Sequence, residues 1–143
     1  MSGTFYQDEL TIQTGVSGQG LVEITDQVAA IVEASKLRQG MCQVFVQHTS
    51  CSLVIQENAD PSARRDLERW LSRLAPENDP DYTHTAEGPD DMPAHLKSAV
   101  TKTSEHIPVV GGHLGLGTWQ GLYLWEHRHR GGQRSLIVSV WGT

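Results

Sequence analysis

The chain has 143 residues, 38% of them apolar and 20% charged, which suffices for one cored domain and excludes wholesale disorder. Eleven Lys and Arg against 17 Asp and Glu leave a net charge of −6, so the protein repels phosphate polymers and anionic lipid, and neither nucleic acid nor a membrane is an expected partner. No apolar run is long enough to span a bilayer, the first residues carry no basic leader, and two cysteines outside any CxxC pair make neither a disulfide framework nor a four-cysteine zinc site. The expected setting is the cytoplasm, with Cys42 and Cys51 as buried, reduced thiols.

Leu10 and Ile12 at period two predict a strand over residues 4–14, followed by a glycine-rich loop over 15–20 and a second short strand over 21–24. Thr25 or Asp26 then caps a helix whose Val28, Ile31 and Val32 recur at three-and-four spacing, with Gly40 as its left-handed stop. Residues 41–48 are apolar on both faces, the pattern of a strand in the middle of a sheet, and end on His48. A β-like run over 53–55 follows, bracketed by polar residues at both ends. Asp60 before Pro61 is a helix entrance, behind which Leu67, Trp70, Leu71 and Leu74 repeat at helical spacing. The arginines of this helix alternate with acids, which reads as a solvated, salt-bridged face and not as a nucleic-acid helix.

Residues 75–92 have no periodicity and hold His84, Glu87, Asp90 and Asp91; structureless segments this long are usually functional or mobile. Pro93 is expected to open a short helix with His95 in its first turn and Leu96 and Val100 facing inward. Residues 107–110 are β-like, and the glycine-rich stretch 111–117 reads as turn chemistry, since no helix follows to make a phosphate loop. Strands over 119–127 and 134–141, separated by Gly131-Gly132, predict a hairpin. The expected architecture is a single α+β domain with mixed or antiparallel sheets and two or three helices.

Four histidines sit where separate elements can converge: His48 and His127 at strand ends, His84 in the irregular segment, and His95 at a helix start. Neutral imidazole is the commonest ligand of zinc-like metals, and a site needs three or four ligands on fixed elements. One such histidine is more often a surface or hydrogen-bonded core residue, but several at element ends, with a loop of acids between two of them, bring the two readings level. HExxH is absent, so spacing alone does not decide. His106, His113 and His129 read as bystanders. Glu57, Asp60, Glu87, Asp90, Asp91 and Glu126 cluster in the same places, where a carboxylate can ligate, orient a histidine or move a proton; Asp60 and Asp91 have helix capping as a competing role. No G-x-S-x-G elbow surrounds the serines after His48, which argues against a serine hydrolase.

Six blocks in order carry a resemblance: His48-Thr49-Ser50-Cys51-Ser52-Leu53, Glu57-Asn58-Ala59-Asp60-Pro61, Tyr82-Thr83-His84 with Glu87-Gly88, Asp90-Asp91-Met92-Pro93-Ala94-His95, Gly117-Thr118-Trp119-Gln120-Gly121, and Glu126-His127-Arg128. Through them the chain resembles the YjbQ-like family, known as secondary thiamine-phosphate synthases. The resemblance implies a compact α+β homotrimer and a metal, zinc or another divalent ion, held by His48, His84 and His95. It further implies Glu57, Asp91 and Glu126 as catalytic acids, and Ser50, Asn58, Gln120 and Arg128 as substrate-binding residues. The implied reaction joins a hydroxymethylpyrimidine diphosphate to a thiazole phosphate and releases pyrophosphate. Diphosphate leaving groups call for Mg²⁺ and cationic side chains, with Lys97, Arg128 and Arg134 as candidates, whereas three imidazoles suit zinc. Zinc-assisted hydrolysis of a small substrate, and a non-catalytic trimeric metal- or ligand-binding module, are the alternatives.

Overall fold

Leu136, Val138 and Val140 are buried at alternate positions of the last strand, which sets one face of that strand against a core. In the computed structural model, which describes residues 3–15 and 18–143, this strand, β8 (Gln133–Gly142), pairs antiparallel with β1 (Thr4–Gln13) and with β3 (Gln39–Val46). The sheet continues from β3 to β5 (Ser104–Val110) and the two-residue β6 (His113–Leu114). A second antiparallel sheet sets β7 (Gln120–Glu126) between β2 (Gly20–Glu23) and β4 (Cys51–Glu57). The helices are α1 (Thr25–Ser35), α2 (Pro61–Leu74) and α3 (Asp91–Val100). Leu53, Leu122 and Leu124 of the smaller sheet share one core with Val44, Leu136 and Val138 of the larger, and Val28, Ile31 and Val32 of α1 pack into it. The result is a single α+β domain with antiparallel sheets. Cys42 and Cys51 are buried free thiols, their pKa values pushed up to about 12 by burial. Among the described residues no helix is long and apolar enough to cross a membrane. Val16 and Ser17 of the expected loop over 15–20 lie outside the described residues, as do Met1 and Ser2.

The structure departs from the sequence reading in several places. Helix α1 stops at Ser35, where Lys36 takes the left-handed conformation (φ 64°) expected of Gly40. Gly40 instead lies in β3, where a Cβ would fall 1.9 Å from the Trp141 carbonyl oxygen of β8, so glycine is there for close approach. The hairpin of residues 119–127 with 134–141 does not form, because β7 and β8 belong to different sheets. Strand β7 is buried on both faces and takes β2 and β4 as neighbours, and residues 127–132 cross to the other sheet. Gly131 makes that crossing possible: a Cβ there would meet Thr14 Oγ1 at 2.2 Å and Glu126 Oε1 at 2.7 Å.

Helix α3 begins at Asp91, two residues before Pro93, since proline is tolerated throughout a first turn whose N–H groups have no intrahelical partner. Its inward face is Asp91, Pro93, Ala94 and Lys97, while Val100 is exposed. Two charged residues thus occupy positions where the periodicity calls for apolar ones. Asp60 caps α2 as expected, its Oδ1 accepting from the Ser62 N–H at 2.9 Å. Of that helix's apolar stripe Leu71 is buried, whereas Trp70 and Leu74 are about half exposed.

Candidate functional site

The i, i+4 spacing on α3 places His95 over Asp91, and the irregular segment before the helix brings in His84. Asp91 Oδ2 lies 2.8 Å from His84 Nε2 and 3.3 Å from His95 Nε2. One ligand atom from each of the three falls within 4.8 Å of the others, the group of His, Cys, Asp and Glu donors able to hold a metal ion among the described residues. The two imidazoles meet edge-on, with centroids 5.2 Å apart. Asp91 is buried, whereas the His84 side chain is 49% exposed and that of His95 33%, so the group opens to solvent on its histidine side.

Arg128 fixes this carboxylate. Its Nη1 donates to Asp91 Oδ1 at 2.8 Å, its Nε to Asp90 Oδ2 at 3.1 Å, and its Nη2 to the Glu87 carbonyl at 2.9 Å. With Oδ1 engaged, Oδ2 faces the two imidazoles, an outer-shell arrangement that orients a metal ligand. Asp90 does not cap α3 with its side chain; it accepts from Arg128 and from the His129 N–H at 2.8 Å. Burial alone would raise the Asp90 pKa, but these donors outweigh it and hold the carboxyl below its usual range. Two imidazole nitrogens and one carboxylate oxygen form the donor set of open, zinc-type catalytic sites. Magnesium would ask for more oxygens and fewer nitrogens.

The structure does not bring His48 into this group. Strand β3 ends at Val46, and His48 turns back toward β8, where its Nε2 accepts from the Ser135 N–H at 2.9 Å and its Nδ1 lies 3.4 Å from Arg134 Nη1. Burial, and next the Arg134 charge, lower its pKa and keep it a neutral acceptor. Arg134 in turn grips Glu126, donating from Nε to Oε1 at 2.7 Å and from Nη2 to Oε2. The Thr14 hydroxyl and the Arg128 N–H, at 3.1 Å, complete four donors on that fully buried carboxylate. Burial would raise the Glu126 pKa, but the Arg134, Thr14 and Arg128 hydrogen bonds hold it down, so it stays ionised and is poorly placed to move a proton. An unbroken chain therefore runs His48–Arg134–Glu126–Arg128–Asp91–His84, joining residues of four of the six sequence blocks. Ser50 is not a member of it: its carbonyl accepts the His127 N–H at 3.2 Å, and the residue lines a surface hollow with His48.

Glu57, Asn58 and Gln120 lie elsewhere. The β4–β7 register pairs Cys51 with Glu126 and Glu57 with Gln120, which puts these residues six positions, or about 20 Å, from Glu126 along one strand pair. Asn58 Nδ2 donates to the Thr118 and Gln120 carbonyls, both at 3.2 Å, and Gln120 Oε1 accepts from the Gly117 N–H at 2.8 Å. Within one chain they organise the turn before β7 at the end of the sheet remote from Glu126.

A buried polar system beneath α3 has no counterpart in the sequence reading. His127 Nε2 lies 2.8 Å from Ser52 Oγ, Ser52 Oγ lies 2.7 Å from Thr101 Oγ1, and Thr101 Oγ1 lies 2.6 Å from the Lys97 carbonyl oxygen. A hydroxyl has one proton and a carbonyl only accepts, so Thr101 donates to Lys97, Ser52 donates to Thr101, and His127 donates from Nε2 to Ser52. Burial, then the nearby Lys97 charge, push the His127 pKa down to about 3, so the ring is neutral. These residues meet because α3 packs on β4, and the isolated bridge between Leu53 and Lys102 closes that contact; nothing in their spacing announces it. His129, a bystander by sequence, stays outside the metal-type group and pairs with Glu77 at 2.6 Å.

A family model described as UPF0047 protein YjbQ-like matches residues 8–143. A UPF0047 protein from Synechocystis is 51% identical over 141 residues, covering 99% of this chain and 96% of that protein. The UPF0047 protein YjbQ of Escherichia coli O157:H7 is 42% identical over 140 residues, 96% of this chain and 99% of that one. Among solved structures, a YbjQ-like protein of unknown function from Sulfolobus solfataricus superposes with a TM-score of 0.89 at 27% identity, covering 99% of this chain and all of that one.

Proposed function

Because the chain belongs to the YjbQ-like UPF0047 family, we propose that it is a cytoplasmic small-molecule enzyme centred on a zinc-type divalent ion held by His84, Asp91 and His95. The activity proposed for it is the secondary synthesis of thiamine phosphate from the hydroxymethylpyrimidine diphosphate and the thiazole phosphate. The observation that carries the metal reading is the meeting of Nε2, Oδ2 and Nε2 from two separate chain segments, with Arg128 pinning the far oxygen of Asp91. A bound ion would supply Lewis-acid polarisation of a substrate oxygen. The chain's own part is to fix Asp91 through Arg128 and Asp90, and to leave the His84 and His95 edges open for a substrate to approach. Glu126 serves as the anchor that holds Arg134 and the Arg128 backbone, and acts on the site through them.

Hydrolysis of a small substrate is the second reading, favoured by a donor set of two histidines and one carboxylate. Self-association as a trimer is proposed on the outer face of the five-stranded sheet, where Phe5, Phe45 and Trp141 remain exposed. Elemental analysis of protein equilibrated with zinc should give one ion per chain, reduced in Asp91→Asn and His95→Ala. Incubation with the two thiamine precursors and Mg²⁺ should form thiamine phosphate. No product under any metal condition removes the synthase, product without bound metal removes the metal-centred mechanism, and unchanged stoichiometry in both variants removes the ligand set.

A further inference from the structure

Helix α3 turns two charged residues inward, and only one of them finds a counter-charge. Asp91 has Arg128, whereas Lys97, 5% exposed, takes part in none of the ion pairs or side-chain hydrogen bonds among the described residues. No buried side-chain nitrogen or oxygen among the described residues lacks a partner, so the Lys97 ammonium, which has none in the protein, keeps its access to solvent through the cavity it borders. The carboxylates whose charge reaches it are engaged, Asp90 with Arg128 at 3.1 Å and Glu77 with His129 at 2.6 Å.

Lys97 borders a cavity of about 440 Å³ between α2, α3 and the end of β7. Buried Leu71 and Trp125 give it apolar walls, neutral His127 lies on its floor, and Arg69 and Arg73 stand exposed at its rim on α2. Glu68, the acid on α2 that lines it, already has Oε1 on the Leu21 N–H at 3.1 Å. Glu126 also lines it, with its oxygens already taken by Thr14, Arg128 and Arg134, so three cations and two engaged carboxylates border one apolar-walled hollow of the size that takes a small ligand.

We propose that this cavity binds a small organic anion, a carboxylate or a phosphomonoester on a planar apolar body, with its head on Lys97 and its body against Trp125 and Leu71. Arg69 and Arg73 draw the anion in, and the Lys97 ammonium, unpaired within the protein and open to the cavity, supplies the contact. The site shares no lining residue with His84, Asp91 and His95. It goes beyond the metal-centred reading and stands without it.

The test uses the full chain after chelation, so that failure of the metal reading leaves it untouched. Phenyl phosphate and phenylacetate serve as probes, followed by ligand-observed NMR and calorimetry. At least one should bind with sub-millimolar affinity; phenyl phosphate alone identifies a phosphomonoester site, phenylacetate alone a carboxylate site, and both a general anion site. Lys97→Met keeps the apolar stem and removes the charge, so it should melt no lower than wild type yet weaken binding about tenfold or more. Arg73→Glu, on the exposed face of α2, should weaken binding several-fold with the floor intact, and decides the matter if Lys97→Met does not fold. Binding of neither probe to wild type, or binding unaffected by the folded variants, would overturn the proposal.

Discussion

The substitution His127→Gln should flatten the acid side of the stability profile. The ring is fully buried with a pKa of about 3, against roughly 6.5 for histidine in an unfolded chain. Between these values the unfolded chain binds a proton that the native protein does not, so stability falls as the pH falls, by up to about 1.4 kcal/mol per pH unit. From pH 6.5 to 4.5 the wild type should therefore lose about 2 kcal/mol through this one residue, an order-of-magnitude figure equivalent to a melting shift of about 7 °C for a chain of this length. Above pH 6.5 both states hold the ring neutral and the contribution vanishes. Glu126 acts in the same direction at lower pH: its depressed pKa stabilises above the usual carboxylate range, and that gain is lost as the pH falls through the folded value. The glutamine would keep an amide donor for Ser52 while removing the titration, so comparing the two proteins cancels Glu126 and every other shared group. Urea unfolding of both, metal-free and at fixed protein concentration, across pH 4.5 to 7.5 measures the difference. Parallel curves would refute the assignment of a neutral, sequestered imidazole.

Glu126→Gln leaves the buried Arg134 guanidinium without its counter-charge and should cost about 3–5 kcal/mol in urea unfolding; a loss under about 1 kcal/mol would mean that solvent reaches the pair. Arg128→Met should preserve the fold but lower zinc affinity about 10- to 100-fold in a competition titration with a chelator, because Asp91 loses the donor that aims it; unaltered affinity would separate Arg128 from the site. Gly40→Ala should break the β3–β8 contact, since its Cβ would fall 1.9 Å from the Trp141 carbonyl oxygen, and a variant as stable as wild type would contradict that close approach.

Local chemistry is legible wherever a residue's neighbours in sequence are also its neighbours in space. The Asp60-Pro61 entrance to α2, the mid-sheet strand β3 and the conjunction of Asp91 with His95 are of this kind. The β7–β8 hairpin fails because Gly131-Gly132 signals a turn without saying which sheet receives the chain. The family resemblance groups His48 with His84 and His95, yet a strand that closes two residues early points it at Ser135 and Arg134. Glu57 and Glu126 both carry carboxylates at a strand end, and only the register reveals that the ends are opposite ones. Lys97 stands out by sequence as a cation for phosphate, but its burial beside a cavity depends on α3 rotating a lysine inward where a leucine is expected.

The measurement that bears most directly on the metal centre is anomalous diffraction at the zinc edge, from crystals of the chain equilibrated with zinc. One peak per chain within bonding distance of His84 Nε2, Asp91 Oδ2 and His95 Nε2 is the expected result. A map with its peak on His48, or with none between His84 and His95, would contradict the account.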